Sequence, residues 1–83
     1  MTIHVRLGAG LAQSVGLVRL SVSLSEGSTV ADLREQLRAH HPEAAPQLAV
    51  AVPVIAGQHV AWTAPLLSDQ EVAFLLPIAG GSC

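Results

Sequence analysis

The chain has no lysine, one cysteine, 2% aromatic residues and 12% charged residues over 83 positions. Each scarcity closes off a class of function. A single cysteine cannot form an internal disulfide, so a small disulfide-stapled secreted domain is excluded and a cytoplasmic location is the expectation. The only basic residues besides histidine, Arg6, Arg19, Arg34 and Arg38, are scattered, and the net charge is −2. No basic stripe exists to neutralise phosphates, and nucleic-acid binding is not expected. No charged residue stands between Glu43 and Asp69. Pro46, Pro53 and Pro65, together with Gly57, Gln58 and His59, nevertheless interrupt that stretch, so no continuous apolar helix of roughly 20 residues can form and no membrane span is expected. Residues 1–10 contain no basic segment leading into an apolar one, so no secretory signal is expected either.

What the chain does have is apolar: hydrophobic residues make up 51%. A chain of this length makes one domain with a modest core and little room for a deep substrate pocket. Surface is unavoidable in so small a domain, and a composition this apolar leaves some hydrophobic surface to meet a partner. The chain reads as a partner of enzymes rather than a catalyst.

Its periodicity is clear. Ile3, Val5 and Leu7 alternate with Thr2, His4 and Arg6, the pattern of a strand with one buried face. After a glycine-containing connection at Gly8-Ala9-Gly10, Val18, Leu20, Val22 and Leu24 alternate with Arg19, Ser21 and Ser23, which predicts a second strand in a hairpin with the first. Thr29-Val30-Ala31-Asp32 has the capping-box pattern of a helix start. Val30, Leu33 and Leu37 then recur at helical spacing, and Pro42 ends the run by about His40. Residues 48–54 predict a third strand, with Pro53 pointing to an edge or a bulge. Gly57 turns the chain back, residues 60–62 give a short fourth strand, and residues 72–76 the last.

Several motifs carry less than they promise. His40 and His41 are adjacent, so on a helix they point roughly 100° apart, and no further ligand completes a metal site at the required spacing. His4 and His59 are isolated and read as surface positions. Gly8-Ala9-Gly10 lacks the third glycine of a dinucleotide loop and reads as a hairpin connection that opens no helix. Trp62 reads as a core or rim anchor, with only Phe74 available to pair with it. Cys83 has no nearby base or positive field to activate its thiol.

The end of the chain is the richest signal. An apolar strand closes on Leu76-Pro77-Ile78-Ala79-Gly80-Gly81, followed by Ser82 and Cys83. Two glycines in succession make a thin, flexible segment that can thread a narrow channel. The expected organisation is a folded domain over residues 1–77 and a flexible tail over residues 78–83.

The order strand, strand, helix, strand, short strand, strand, with the last strand running into the diglycine, is that of the ubiquitin-like β-grasp, an α+β fold. On Thr29-Val30-Ala31-Asp32-Leu33 and on Pro65-Leu66-Leu67-Ser68-Asp69-Gln70-Glu71-Val72-Ala73-Phe74-Leu75-Leu76-Pro77, the chain resembles the small sulfur carriers of molybdopterin and thiamine synthesis, the MoaD/ThiS family. The resemblance covers nearly the whole chain. It implies a mixed sheet of four to five strands packed on one main helix, with no catalytic residue, metal or cofactor of its own. It further implies that the Gly81 carboxylate, presented by Gly80, is adenylated and then converted to a thiocarboxylate. The partners implied are a ubiquitin-activating-type adenylating enzyme, a sulfur donor and a downstream sulfur-accepting biosynthetic enzyme. ATP and zinc belong only to partner enzymes.

Two departures from the family pattern stand out. The common Asp-Gly-Asp-Glu corner is Ser68-Asp69-Gln70-Glu71 here, which keeps two acidic residues. The usual carrier ends at its second glycine, whereas Gly81 is bonded to Ser82. Extended ubiquitin-like carriers are trimmed by a JAMM-type zinc metallopeptidase, so the resemblance implies cleavage between Gly81 and Ser82. The missing lysine fits an activated C-terminus, which finds no side-chain amine on its own or a neighbouring copy to acylate.

Alternation along the last strand puts Val72 and Phe74 on one face and Ala73, Leu75 and Pro77 on the other. Phe74 is expected inside, with Ala73, Leu75 and Pro77 and the acidic Asp69 and Glu71 meeting partners. The same diglycine would serve a ubiquitin-like modifier joined through Gly81 to lysines of other proteins. An unprocessed β-grasp binding module is the remaining alternative.

Overall fold

The computed structural model describes residues 1–77. Gly80, Gly81 and Ser82, on which the cleavage and sulfur chemistry was expected, lie outside the described residues. The elements run β1 (Thr2–Leu7), α1 (Ala9–Val15), β2 (Arg19–Ser23), α2 (Val30–His40), a 3-10 turn (Pro42–Ala44), α3 (Ala45–Val50), β3 (Val52–Ile55), β4 (Gln58–His59) and β5 (Glu71–Leu75). The sheet has five strands in the order β2-β1-β5-β3-β4. β1 and β5 are parallel, and the other pairs are antiparallel. This is the expected mixed sheet of an α+β ubiquitin-like β-grasp.

The alternation of β1 sets the core. Ile3, Val5 and Leu7 are buried and face Val22, Leu20, Val72 and Phe74 across the neighbouring strands. Val30, Leu33 and Leu37 on α2 close over them, as their spacing predicts. The capping box at the start of α2 forms as read: the Thr29 hydroxyl accepts from the Asp32 amide at 3.3 Å, and the Asp32 carboxylate accepts from the Thr29 amide at 2.9 Å. The next two amides, of Val30 and Ala31, donate to the carbonyls of Ala64 and Trp62. All four of these donors are satisfied, two by the side chains of the capping box and two by carbonyls of a distant segment that the fold brings close. Trp62 stacks on Phe74 with ring centroids 6.1 Å apart, and the Arg34 guanidinium lies 4.2 Å above the Trp62 ring. Trp62 is therefore the rim anchor expected, roofed by the arginine's guanidinium.

Several expectations are corrected. β1 and β2 do pair as antiparallel neighbours, but Gly8-Ala9-Gly10 is not a hairpin connection: it opens α1, which Gly16 ends. Leu11 is buried, and Ala12 and Val15 are partly buried against the core at helical spacing, so burial of that apolar face overrides the weak propensity of two glycines. Val18, expected on the buried side of β2, precedes the strand and is 61% exposed. Residues 48–50 belong to α3 rather than to the third strand, because Ala44 and Leu48, four residues apart, bury together and Pro46 sits in the first turn, where no amide is needed. The fourth strand is Gln58–His59 rather than residues 60–62. Ala56 (φ 52°) and Gly57 (φ 77°) make a two-residue turn with both φ positive, so pairing resumes at once with Ile55 opposite Gln58.

Pro53 sits in neither an edge strand nor a bulge, since β3 lies between β5 and β4. Its carbonyl accepts from the Val60 amide at 3.2 Å. In a strand the amide and carbonyl of one residue point the same way, so the donor that proline lacks faces the short β4 side and the β5 ladder is undisturbed.

Candidate functional site

The site is the end of β5 and the sheet face around it. β5 runs through the middle of the sheet between β1 and β3, so the segment leading to the diglycine leaves from the most constrained strand of the fold. Its last turn of path is clamped by the start of α1. The Gly8 amide donates to the Phe74 carbonyl at 2.9 Å. A Cβ on Gly8 would stand 3.3 Å from Leu75 Cδ2, and one on Gly10 would stand 2.5 Å from Leu76 Cδ1. The two glycines thus form a bare shelf on which Leu75 and Leu76 lie. Leu76 packs against the core, and Pro77, exposed, fixes the backbone direction where the chain departs. Sequence reasoning missed this role for Gly8 and Gly10, since the residues they accommodate lie more than sixty positions away.

Alternation places Phe74 inside, fully buried, and Leu75 outside at 41% exposure, as expected. Glu71 and Asp69 are exposed. Ala73 also faces away from the helices, but it is only 5% exposed between Arg6 on β1 and Val54 on β3. It offers a floor rather than a contact of its own.

Asp69 turns the chain into β5 with φ 65°, its amide donating to the Thr2 carbonyl at 2.8 Å. This is the position of glycine in the common corner, and aspartate is among the side chains that tolerate the left-handed region. Gln70 replaces the second acid of that corner and closes it instead: its side-chain oxygen accepts from the Leu67 amide at 2.9 Å, and its own amide donates to the Leu67 carbonyl. The Asp69 carboxylate stands 3.7 Å from His4 Nε2, and His4 Nδ1 is 3.4 Å from Ser21 Oγ. His4 is exposed but not isolated.

Register defines the rest of the open face. Arg19, Arg6, Ala73, Val54 and His59 form one row across all five strands, and Leu75 and Val52 form the next. Among the described residues no group of three or more His, Cys, Asp or Glu side chains could hold a metal, and no helix is long and apolar enough to cross a membrane. His40 and His41 end α2, with His41 Nδ1 3.3 Å from Glu43.

The model of the ThiS family matches residues 5–81. The chain belongs to the ThiS family. Members of this family are small carrier proteins that work with partner enzymes and are not themselves enzymes. The ThiS-type match ends at Gly81 and leaves Ser82 and Cys83 outside it. No curated protein sequence matches the chain significantly. Among solved structures, SAMP1 from Haloferax volcanii superposes with a TM-score of 0.84 at 22% identity, over 98% of this chain and 100% of that one. A Pyrococcus furiosus protein proposed to be subunit 1 of a molybdopterin converting factor gives a TM-score of 0.84 at 22% identity, over 94% and 99%. A complex of subunits 1 and 2 of the molybdopterin-converting factor from Helicobacter pylori gives 0.70 at 17% identity, over 98% and 100%. At these identities the likeness shows that this ThiS-family chain shares their fold.

Proposed function

We propose that the protein is a sulfur carrier made as a precursor. Removal of Ser82 and Cys83 by a JAMM-type zinc metallopeptidase frees the Gly81 carboxylate. A ubiquitin-activating-type enzyme then lets that carboxylate attack the α-phosphate of ATP, expelling pyrophosphate and leaving an acyl-adenylate. Sulfide displaces AMP to leave the thiocarboxylate directly. A donor persulfide instead displaces AMP to leave an acyl disulfide, and a second thiol then attacks the donor's sulfur, forming a disulfide with it and releasing the thiocarboxylate. The thiocarboxylate delivers sulfur to a biosynthetic enzyme in the cytoplasm. The observation that carries this reading is that the central strand β5 ends at Leu75, six positions before Gly81 in the sequence, and that the family match ends at Gly81. A rigid handle next to a slim, side-chain-free terminus suits chemistry performed inside another protein.

The test is the intact mass of the protein from its native host, before and after incubation with ATP, the host's adenylating enzyme and a sulfide source. Loss of Ser82 and Cys83 followed by exchange of one oxygen for sulfur is the expected result. A chain that keeps both residues and never gains sulfur overturns the reading and favours an unprocessed binding module. The likeness to a structure described as small archaeal modifier protein 1 favours one second reading, conjugation of Gly81 to lysines of other proteins. Higher-mass, Gly81-linked species in host extracts, without thiocarboxylate, would establish it.

A further inference from the structure

The two edges of the sheet are not protected alike. β4 closes one edge with two residues, whereas β2 closes the other with five, held to β1 in unbroken register with no proline and no bulge. Met1 and Leu24 exchange both backbone hydrogen bonds, and the Leu7 amide donates to the Val18 carbonyl. Val18, Leu20, Val22 and Leu24 therefore turn their backbone groups toward β1, and the residues between them, Arg19, Ser21 and Ser23, turn theirs outward. Among the described residues nothing bonds those outward amides and carbonyls. Beside the strand lies an open groove of about 540 Å³, bounded by Leu24 and by Asp32, Glu35 and Gln36 of α2. An uncovered strand edge is a template for another strand, and β4 shows the usual remedy of a very short one.

β2 is complementary to itself. Set antiparallel to a second copy about Ser21, its outward groups fall into hydrogen-bonded pairs: Ser21 with the second copy's Ser21, and Arg19 with the second copy's Ser23 in both directions. In the same register the side facing the helices becomes one apolar row. Val18, 61% exposed in the single chain, comes opposite the second copy's Leu24, and half-buried Leu20 opposite the second copy's Val22. Charge selects this register. Arg19 already faces Arg6 within its own chain, and among the described residues no carboxylate lies within 4.0 Å of it. A pairing centred on Arg19 would set like charges face to face, whereas centring on Ser21 gives each guanidinium serine hydroxyls and holds the two about 13 Å apart along the seam.

We propose that the protein pairs with a second copy of itself through β2, making one continuous sheet across a twofold axis at Ser21. The stretch from Val18 to Leu24 spans roughly 23 Å, and a seam of that length buries on the order of 1,000 Å² in total, the lower bound for a specific interface. The dimer is therefore weak and concentration-dependent. β1 separates β2 from β5, so the seam leaves the end of β5 outside it. The pairing is independent of the sulfur chemistry proposed for the tail.

Sedimentation of the full chain between about 10 µM and about 1 mM tests this, with a dissociation constant on the order of 100 µM as the expected result. Amide hydrogen exchange reads the register. The amides of Arg19, Ser21 and Ser23 gain protection as concentration rises, while those of Leu20 and Val22, turned toward β1, are protected throughout. Val18→Glu alters a side chain that is exposed in the single chain, so the melting temperature stays near native, but it sets a carboxylate against apolar Leu24 and raises the dissociation constant at least about 10-fold. Ser21→Pro removes an outward amide without touching the β1 ladder and likewise weakens the dimer. Ser23→Glu works in the other direction: its carboxylate meets the second copy's Arg19 on both sides of the axis, and the dissociation constant falls about threefold to tenfold. A chain that stays monomeric to about 1 mM overturns the proposal. So does a dimer that Val18→Glu and Ser21→Pro leave unchanged, or one that Ser23→Glu weakens.

Discussion

On the covered face of the sheet, Ile3, Val5, Leu7, Val22, Val72 and Phe74 are buried under α1 and α2. On the open face, Arg6, Arg19, His4 and Glu71 share the surface with Val52, Val54 and Leu75. Both faces are built from the same five strands, so backbone geometry cannot be the source of the difference. The covered face is uniform because any polar atom there would lose water without a partner. The open face is free of that demand, and its mixture of repelling arginines and exposed leucine costs the fold something without helping it. The difference assigns stability to the covered side and leaves the open side free of that demand.

The largest break in that comparison comes from Phe74. It is fully buried and stacks on Trp62. Phe74→Ala should destabilise by about 3–5 kcal/mol, a large part of the stability of a domain this size. Chemical denaturation should show the midpoint falling steeply or the native baseline vanishing. Phe74→Leu, which keeps most of the volume, should cost about a third of that. A loss below about 1 kcal/mol for alanine would mean that the covered face is not the seat of stability.

The joint between the two regions gives a smaller, sharper effect. Gly10 lies in the first turn of α1, where alanine is intrinsically better by about 0.5–1 kcal/mol. Its missing Cβ, however, leaves room for Leu76. Gly10→Ala should therefore be neutral or destabilising in the native chain and stabilising when Leu76 is also alanine, with a coupling of about 1 kcal/mol between the two changes. A double-mutant cycle in urea measures it directly. Simple additivity would show that the glycine shelf does not hold the base of the tail.

How much of this could be read from the sequence depends on how local each cause is. The capping box of α2 and the alternation of β1 are complete within a few residues, and both form as read. α1 was hidden because Gly8 and Gly10 look like a turn until Leu11, Ala12 and Val15 are seen as one face. α3 was hidden because an Ala- and Val-rich run supports either period. Alternation correctly put Arg6, Arg19 and Leu75 outside, but it says nothing of neighbours. That Arg6 faces Arg19 on one side and Ala73 on the other, and that Leu76 lies on Gly10, follow from the β1–β2 register and the β1–β5 parallel crossover, which no local pattern contains.

The smallest change in stability should accompany the clearest separation of the two faces, because Phe74 and Leu75 are neighbours on one strand. Leu75 is 41% exposed and stands opposite Val52 on the open face. Glu in its place keeps an extended backbone, meets water, and gives up only part of a half-exposed side chain's burial, so Leu75→Glu should cost no more than about 1 kcal/mol. Its carboxylate would nevertheless break the apolar patch that Leu75 and Val52 form on the open face, where a partner is expected to dock. Denaturation should therefore show a nearly native midpoint, while KM for adenylation of the trimmed chain rises on the order of 10-fold. A variant that unfolds would show that Leu75 belongs to the core. A variant that folds and is adenylated with native KM would confine recognition to the tail and leave the open face without a role in docking.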